Sequence, residues 1–259
     1  MKHLTSRDNP LYKRLKALSG SVQQQRKSAV MLLEGAHLAS AFLEQGAVPE
    51  YCIVSDSALA HAEIGSIVSR LETQRVVVLP DALFGQISTV VNGVGILLLA
   101  PVPQPLLAES ITGDCLILDG VQDAGNVGSI LRSAAAANIR QVFCVSGTAF
   151  AWAPKVLRAG MGAHFLLQIH EGLDATVLRE KLVAPIAITD SHGAGSLFDI
   201  DLRAPLAWVF GNEGAGVSGI WRDAAALRVT IPQPGGIESL NVAAAAAVCL
   251  FDQVRQRRA

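Results

Sequence analysis

The chain has 259 residues, 51% of them apolar and 17% charged, which excludes a disordered chain and leaves length for one large or two small cores. Its apolar runs, the longest near 94–100 and 243–251, fall short of the ~18 residues of a membrane span. Met1-Lys2-His3-Leu4-Thr5 lacks the apolar core of a signal peptide, and neither the four cysteines nor the six histidines show disulfide or metal-ligand spacing. The expectation is a soluble, cytoplasmic protein with no metal and no membrane partner.

The net charge of −1 hides an asymmetry. Residues 1–30 carry Lys2, Arg7, Lys13, Arg14, Lys16, Arg26 and Lys27 against Asp8 alone, a balance of +6 that leaves −7 on the rest. A basic arm on an acidic protein suits contact with phosphates, and a solvated amphipathic helix explains it equally well.

In chain order, Asn9-Pro10 opens a helix through about residue 18, as cap and first-turn proline. Residues 34–45 predict a second helix closed by Gly46. An apolar segment at 51–54, a helical stretch at 58–71, a strand at 76–79, a helix at 81–87 and a strand at 95–99 complete a first α/β domain over 1–100. Pro101-Val102-Pro103-Gln104-Pro105 opens an extended linker, 101–113. Beyond it, 114–259 alternates again: strands at 115–118, 141–145, 164–169, 186–189, 206–210 and 228–231, and helices at 127–137, 154–159, 175–182 and 240–256. Short apolar strands between helices predict a mostly parallel sheet covered on both faces.

Parallel α/β sheets bind ligands at the carboxyl ends of their strands. Three loops there combine glycines with polar residues: 119–129, 211–216 and 232–241. There is no GxxxxGK[ST], no HExxH and no GxSxG, and Gly125-Asn126-Val127-Gly128 lacks the GxGxxG spacing of a dinucleotide fold.

Three segments then become recognisable: Asn126-Val127-Gly128-Ser129-Ile130-Leu131-Arg132; Val209-Phe210-Gly211-Asn212-Glu213-Gly214-Ala215-Gly216; and Ile231-Pro232-Gln233-Pro234-Gly235 with Ser239-Leu240-Asn241-Val242. In order and placement they resemble the three motifs of the SpoU (TrmH-type) RNA 2′-O-ribose methyltransferases of the SPOUT superfamily. The likeness covers nearly all of 114–259, including the stretch from Pro154 to Ala163. Gln233 stands where the family commonly has methionine. Residues 1–100 are similar, less specifically, to the small RNA-binding domain of ribosomal-protein type that precedes this catalytic domain. The resemblance implies a parallel-sheet α/β domain with a C-terminal trefoil knot, which general topology rules do not anticipate. It also implies S-adenosyl-L-methionine as methyl donor, held by the three loops, and a homodimer with the active site assembled at the subunit interface. The small residues 243–247 suit close helix packing, and equally a plain core helix.

By motif position the resemblance makes Arg132 catalytic, as general base or as an electrostatic group gripping the target phosphate beside the 2′-oxygen; a guanidine is chemically awkward as a base. Asn126 binds ribose or phosphate, or caps its helix. Glu213 fixes Arg132 or a ribose hydroxyl. Ser239 and Asn241 bind substrate at the start of the last helix, or cap it. Gly211, Ile231 and Leu240 contact the donor. The implied activity is 2′-O-methylation of structured RNA, ribosomal RNA before transfer RNA. The alternatives are a tRNA enzyme, a non-catalytic RNA-binding or ribosome-assembly factor on the same fold, and a nucleotide-dependent enzyme, which the missing P-loop lysine disfavours.

Overall fold

The computed structural model describes residues 1–91, 93–190, 195–236 and 239–258. It divides into two compact units: residues 1–103 with 152–165, and residues 104–151 with 166–259. No helix among the described residues is long and apolar enough to cross a membrane.

The first unit holds a mixed sheet of β1 (Lys2–His3), β2 (Val30–Glu34), β3 (Tyr51–Ser55), β4 (Val76–Leu79) and β5 (Ile96–Pro101), ordered β1-β4-β3-β5-β2. Strands β1, β4 and β3 are parallel, and β5 runs antiparallel to both β3 and β2. Its helices are α1 (Pro10–Gly20), α2 (Val22–Lys27), α3 (Ala36–Glu44), α4 (Ala62–Ser69) and α5 (Asp81–Ile87). Helix α1 starts as its sequence predicts. The Asn9 side chain accepts from the Leu11 N–H at 2.9 Å, and Tyr12, Leu15 and Leu18 recur on the face that enters the core.

Two expectations are corrected here. Glu34 ends a strand rather than opening a helix. Residues 30–34 are buried throughout, so they show no alternation to distinguish a strand from a helix, and α3 begins only after Gly35, whose φ of 103° breaks the chain direction. The Glu34 carboxylate is buried and accepts from Ser88 Oγ and from the N–H and hydroxyl of Thr89, at 2.8 and 2.6 Å. Residues 163–166 likewise form a 3-10 turn, not the start of a strand. Met161 and Gly162 both take positive φ there, and the strand waits until Gln168.

The second unit carries a seven-stranded sheet in which every pairing is parallel. Its strands are β6 (Cys115–Asp119), β7 (Gln141–Val145), β8 (Gln168–Leu173), β9 (Ile186–Thr189), β10 (Gly195–Ser196), β11 (Ala207–Gly211) and β12 (Leu227–Thr230), ordered β10-β12-β9-β11-β6-β7-β8. The helices are α6 (Ala124–Ala136), α7 (Pro154–Gly160), α8 (Ala175–Lys181), α9 (Gly219–Ala224) and α10 (Val242–Arg258); α7, in the excursion 152–165, belongs to the first unit. There Arg158 Nη1 donates to Thr89 Oγ1 at 3.0 Å, and that hydroxyl donates to Glu34. The stretch after Pro101 is not uniformly loose. Ile111 is buried, bridges to Leu182, and joins the apolar core of Ile117, Val209 and Trp221.

Helix α10 packs against α6 and β11. Trp208 Nε1 donates to Gln253 Oε1 at 3.0 Å in the interior. Near the helix end, Asp114 Oδ1 accepts from the Leu206 N–H at 3.0 Å, from Gln253 Nε2 at 3.2 Å and from Arg257 Nη2 at 2.9 Å. Half-burial pushes the Asp114 carboxyl up, but the Arg257 guanidinium and these donors outweigh it and hold it below the usual carboxylate range. A depressed folded value stabilises the fold above the unfolded value of about 3.9 and loses that contribution as pH falls through the folded one. Asp114→Ala is therefore expected to lower the unfolding free energy by about 2–3 kcal/mol at pH 7. In urea titrations the deficit shrinks at pH 3; a deficit equal at both pH values contradicts the assignment.

Candidate functional site

Because β6 and β11 are parallel neighbours in register, with Gly211 opposite Asp119, the first two loops leave adjacent strand ends on the same edge of the sheet. They are tied together by side chains. Asp119 Oδ2 accepts from the Ser218 N–H at 2.7 Å. Asn212 Nδ2 donates to the Gly120 carbonyl at 3.0 Å, while its Oδ1 takes the Gly214 and Ala215 N–H groups at 2.9 Å each. Thr148 Oγ1 donates to the Leu118 carbonyl at 2.8 Å and accepts from the Gly120 N–H at 3.1 Å.

Glu213 is the centre of this arrangement. Its Oε2 accepts from the Gln122 N–H at 3.2 Å, and its Oε1 from the Asp123 N–H at 3.1 Å and Asn126 Nδ2 at 3.0 Å. The expected partner Arg132 is not among them. Partial desolvation pushes the Glu213 carboxyl up, and the Asn126 amide with the backbone donors more than reverses this, so it stays below its ordinary value. The third loop joins through Asn241, whose Nδ2 donates to Asn126 Oδ1 at 2.9 Å. Asn241 Oδ1 accepts from the N–H groups of Ala243 and Ala244 at 2.9 and 3.3 Å, capping the last helix. Asn126 does not cap α6. Asp123 does, accepting from the Asn126 N–H at 2.9 Å, which frees the Asn126 amide to bridge Glu213 and Asn241.

A cavity of about 340 Å³ lies at these strand ends. Gly211, Glu213, Ile231, Ser239, Leu240 and Asn241 all line it, so six of the eight expected site residues converge there. Asn126 is linked to it through Glu213 and Asn241. Arg132 does not line it. Six residues along α6 from Asn126 place Arg132 roughly 9 Å further up the axis and about 240° around it; it is exposed and has no partner among the described residues. Ile237 and Glu238, quoted with the third loop, lie outside the described residues.

Sequence reasoning missed Asn212, Asp119 and Asp123, which shape the loops, and Thr189, Asp190 and Thr230, which line the cavity. Asp123 had a visible signal, a capping residue three positions before Asn126. Asn212 had another, an Asx residue two positions before a glycine. The first unit contains a larger depression, about 630 Å³, lined in part by Ser55, His61, Asp81, Ser88 and Thr89, with none of the expected site residues. In its basic arm, Lys13 pairs with Asp8 at 2.9 Å, Arg14 with Glu50 at 2.7 Å, and Lys16 donates to the Gln86 carbonyl. Lys2, Arg7 and Lys27 are exposed without partners among the described residues.

Gly211 is required by close approach. A Cβ built on it would stand 2.3 Å from the carbonyl carbon and oxygen of Gly216, both backbone atoms fixed by the paired hydrogen bonds between Asn212 and Gly216. Gly211→Ala should lower stability by about 2–3 kcal/mol. Gly214→Ala, where a Cβ meets only Asn212 Oδ1 at 3.6 Å, should lie within about 0.5 kcal/mol of the parent. Thermal unfolding of the two variants checks this, and equal effects would contradict it.

Comparison with known proteins places this site in context. The model of the SpoU rRNA Methylase family matches residues 114–251, the segment that holds all three loops. A Synechocystis protein named as an uncharacterized tRNA/rRNA methyltransferase is 30% identical over 98% of this chain and 94% of its own length. The 23S rRNA guanosine 2′-O-methyltransferase RlmP of Bacillus subtilis is 30% identical over 97% of this chain and 98% of its own. The crystal structure of an RNA 2′-O ribose methyltransferase superposes with a TM-score of 0.82 at 27% identity, covering 99% of this chain and all of that one. With a family match over more than half its length and relatives aligned end to end, the chain belongs to the SpoU rRNA methylase family.

Proposed function

We propose that this protein transfers a methyl group from S-adenosylmethionine to a ribose 2′-hydroxyl of ribosomal RNA. The observation that carries the reading is the convergence of the second and third family motifs on one cavity at the carboxyl ends of β11 and β12, with the first motif tied to them through Asn126. The residues fit such a donor. The cavity is of small-molecule size, with Val217, Val229, Ile231 and Leu240 as apolar walls and Gly211 leaving a bare Cα at its rim. Gln233 adds a buried oxygen with no hydrogen-bond partner among the described residues. When bound, S-adenosylmethionine supplies an already activated methyl on a sulfonium, so the protein's task is alignment and charge stabilisation.

Gly211, Ile231 and Leu240 hold the donor. Glu213, Asn126 and Asn241 act as one hydrogen-bonded frame that fixes the loops around the ribose, with Ser239 at the cavity edge. Arg132 binds the phosphate of the target nucleotide and stabilises the alkoxide developing at the 2′-oxygen, an electrostatic rather than a basic role given a guanidinium pKa above 12. That Glu213 is engaged elsewhere and Arg132 has no partner among the described residues supports this role, with its guanidinium directed to substrate. Its position outside the cavity supports a homodimer in which Arg132 serves the partner's donor. The alanine-rich start of α10, with Ala244 and Phe251 exposed, supports the same assembly.

Residues 1–100, which make up most of the first unit, act as the RNA-binding domain and are followed by the linker 101–113 and the catalytic domain 114–259, with Lys2, Arg7 and Lys27 available to phosphates. The passage of the chain from β11 out to β12 beyond β9, before α10 returns to α6, supports a C-terminal trefoil knot. An RNA substrate and four buried thiols, with Cys52, Cys115 and Cys249 pushed up to about 12 by burial, support a cytoplasmic location.

Arg132→Ala should leave folding and donor affinity nearly intact and reduce methyl transfer at least ~10²-fold. Arg132→Lys should restore little, because an ammonium lacks the planar two-pronged contact. Single-turnover assays at saturating donor and ribosomal RNA measure this; a near-parental rate for the alanine variant overturns the role given to Arg132.

A further inference from the structure

Among the described residues, a buried polar atom of the cavity is left without a partner. Gln233 lines the cavity, and its Oε1 is buried yet accepts no hydrogen bond among the described residues. A buried amide oxygen without a donor is unfavourable, and such atoms are rare enough in folded proteins to call for an explanation. A ligand that completes the hydrogen bond is one.

The surroundings narrow the ligand group. Ile231 stands two residues before Gln233, and with Val229, Leu240 and Val242 it gives the cavity apolar side chains of the kind that receive a flat aromatic ring. The carboxylates of the same cavity, Asp190 and Glu213, suit a cation instead, such as an α-ammonium. A neutral amide oxygen among apolar walls matches a neutral N–H donor on a ring.

We propose that Gln233 Oε1 accepts a hydrogen bond from the exocyclic amino group of the donor's adenine and is a specificity-determining residue of the donor site. This rests on the S-adenosylmethionine reading above. Methionine in the same place would offer only a weakly accepting thioether, so Gln233→Met removes the acceptor while keeping a side chain of similar length.

The test is isothermal calorimetry on the full-length protein with two non-reacting ligands, S-adenosylhomocysteine and S-inosylhomocysteine, in which a ring carbonyl replaces the amino group. The readout is the ratio of the two dissociation constants, compared for the parent, Gln233→Met and Gln233→Glu, with thermal unfolding as the check on folding. The parent should favour S-adenosylhomocysteine, and Gln233→Met should reduce that preference about tenfold, mainly by weakening S-adenosylhomocysteine. Gln233→Glu keeps an acceptor of the same reach and should hold the parental ratio to within about threefold. An unchanged ratio in Gln233→Met, or the same loss in both variants, overturns the proposal while leaving the donor reading intact. If the parent binds neither ligand, the donor reading itself fails.

Discussion

The site depends on one carboxylate. Glu213 is exposed, yet both of its oxygens are used: they take two backbone N–H groups from the loop after β6 and the side-chain amide of Asn126. A carboxylate is acceptor-only when ionised, so this set of three donors holds it in the charged form. The same donors belong to a loop of a different strand, and 87 residues separate Glu213 from Asn126. Asn126 then passes the connection to Asn241 at the head of the last helix. Three loops that meet nowhere in sequence are thereby held in one arrangement.

The sheet makes this possible before any side chain acts. In-register parallel pairing of β6 with β11 brings Asp119 and Gly211 side by side, and β9 between β11 and β12 brings Thr189 and Thr230 to the same edge. Close backbone approach at Gly211 lets the 211–217 loop fold back on its own strand, where a side chain would collide. Burial of Trp208 and Trp221 on the two sides of this sheet region gives the loops a rigid base, as a preorganised site requires.

Much of this is legible in the sequence, and what is not has physical reasons. Strands β7 and β9 and helix α5 match their predicted bounds, because short apolar runs there are bracketed by polar or breaking residues. Strand β2 is lost to an all-buried pattern without alternation, and β10, two residues long, carries too little pattern to register. The excursion of residues 152–165 into the first unit has no local signal, since it depends on partners such as Thr89 and Phe42 far away in the chain. The three loops are visible as glycines and polar residues at strand ends. Which donors meet which acceptors is not: the motif leaves Glu213 to Arg132 or a ribose hydroxyl, and within the chain it meets Asn126. A carboxylate's neighbours across the fold are set by strand order, which periodicity does not encode.

Amide hydrogen exchange reports whether the Glu213 carboxylate holds the loop after β6 in place. In Glu213→Ala, the Gln122 and Asp123 amides should exchange about tenfold or more faster than in the parent, the scale of a lost charge-assisted hydrogen bond. Amides within β6 and β11 should keep their parental rates. Unchanged exchange at Gln122 and Asp123 would contradict the account.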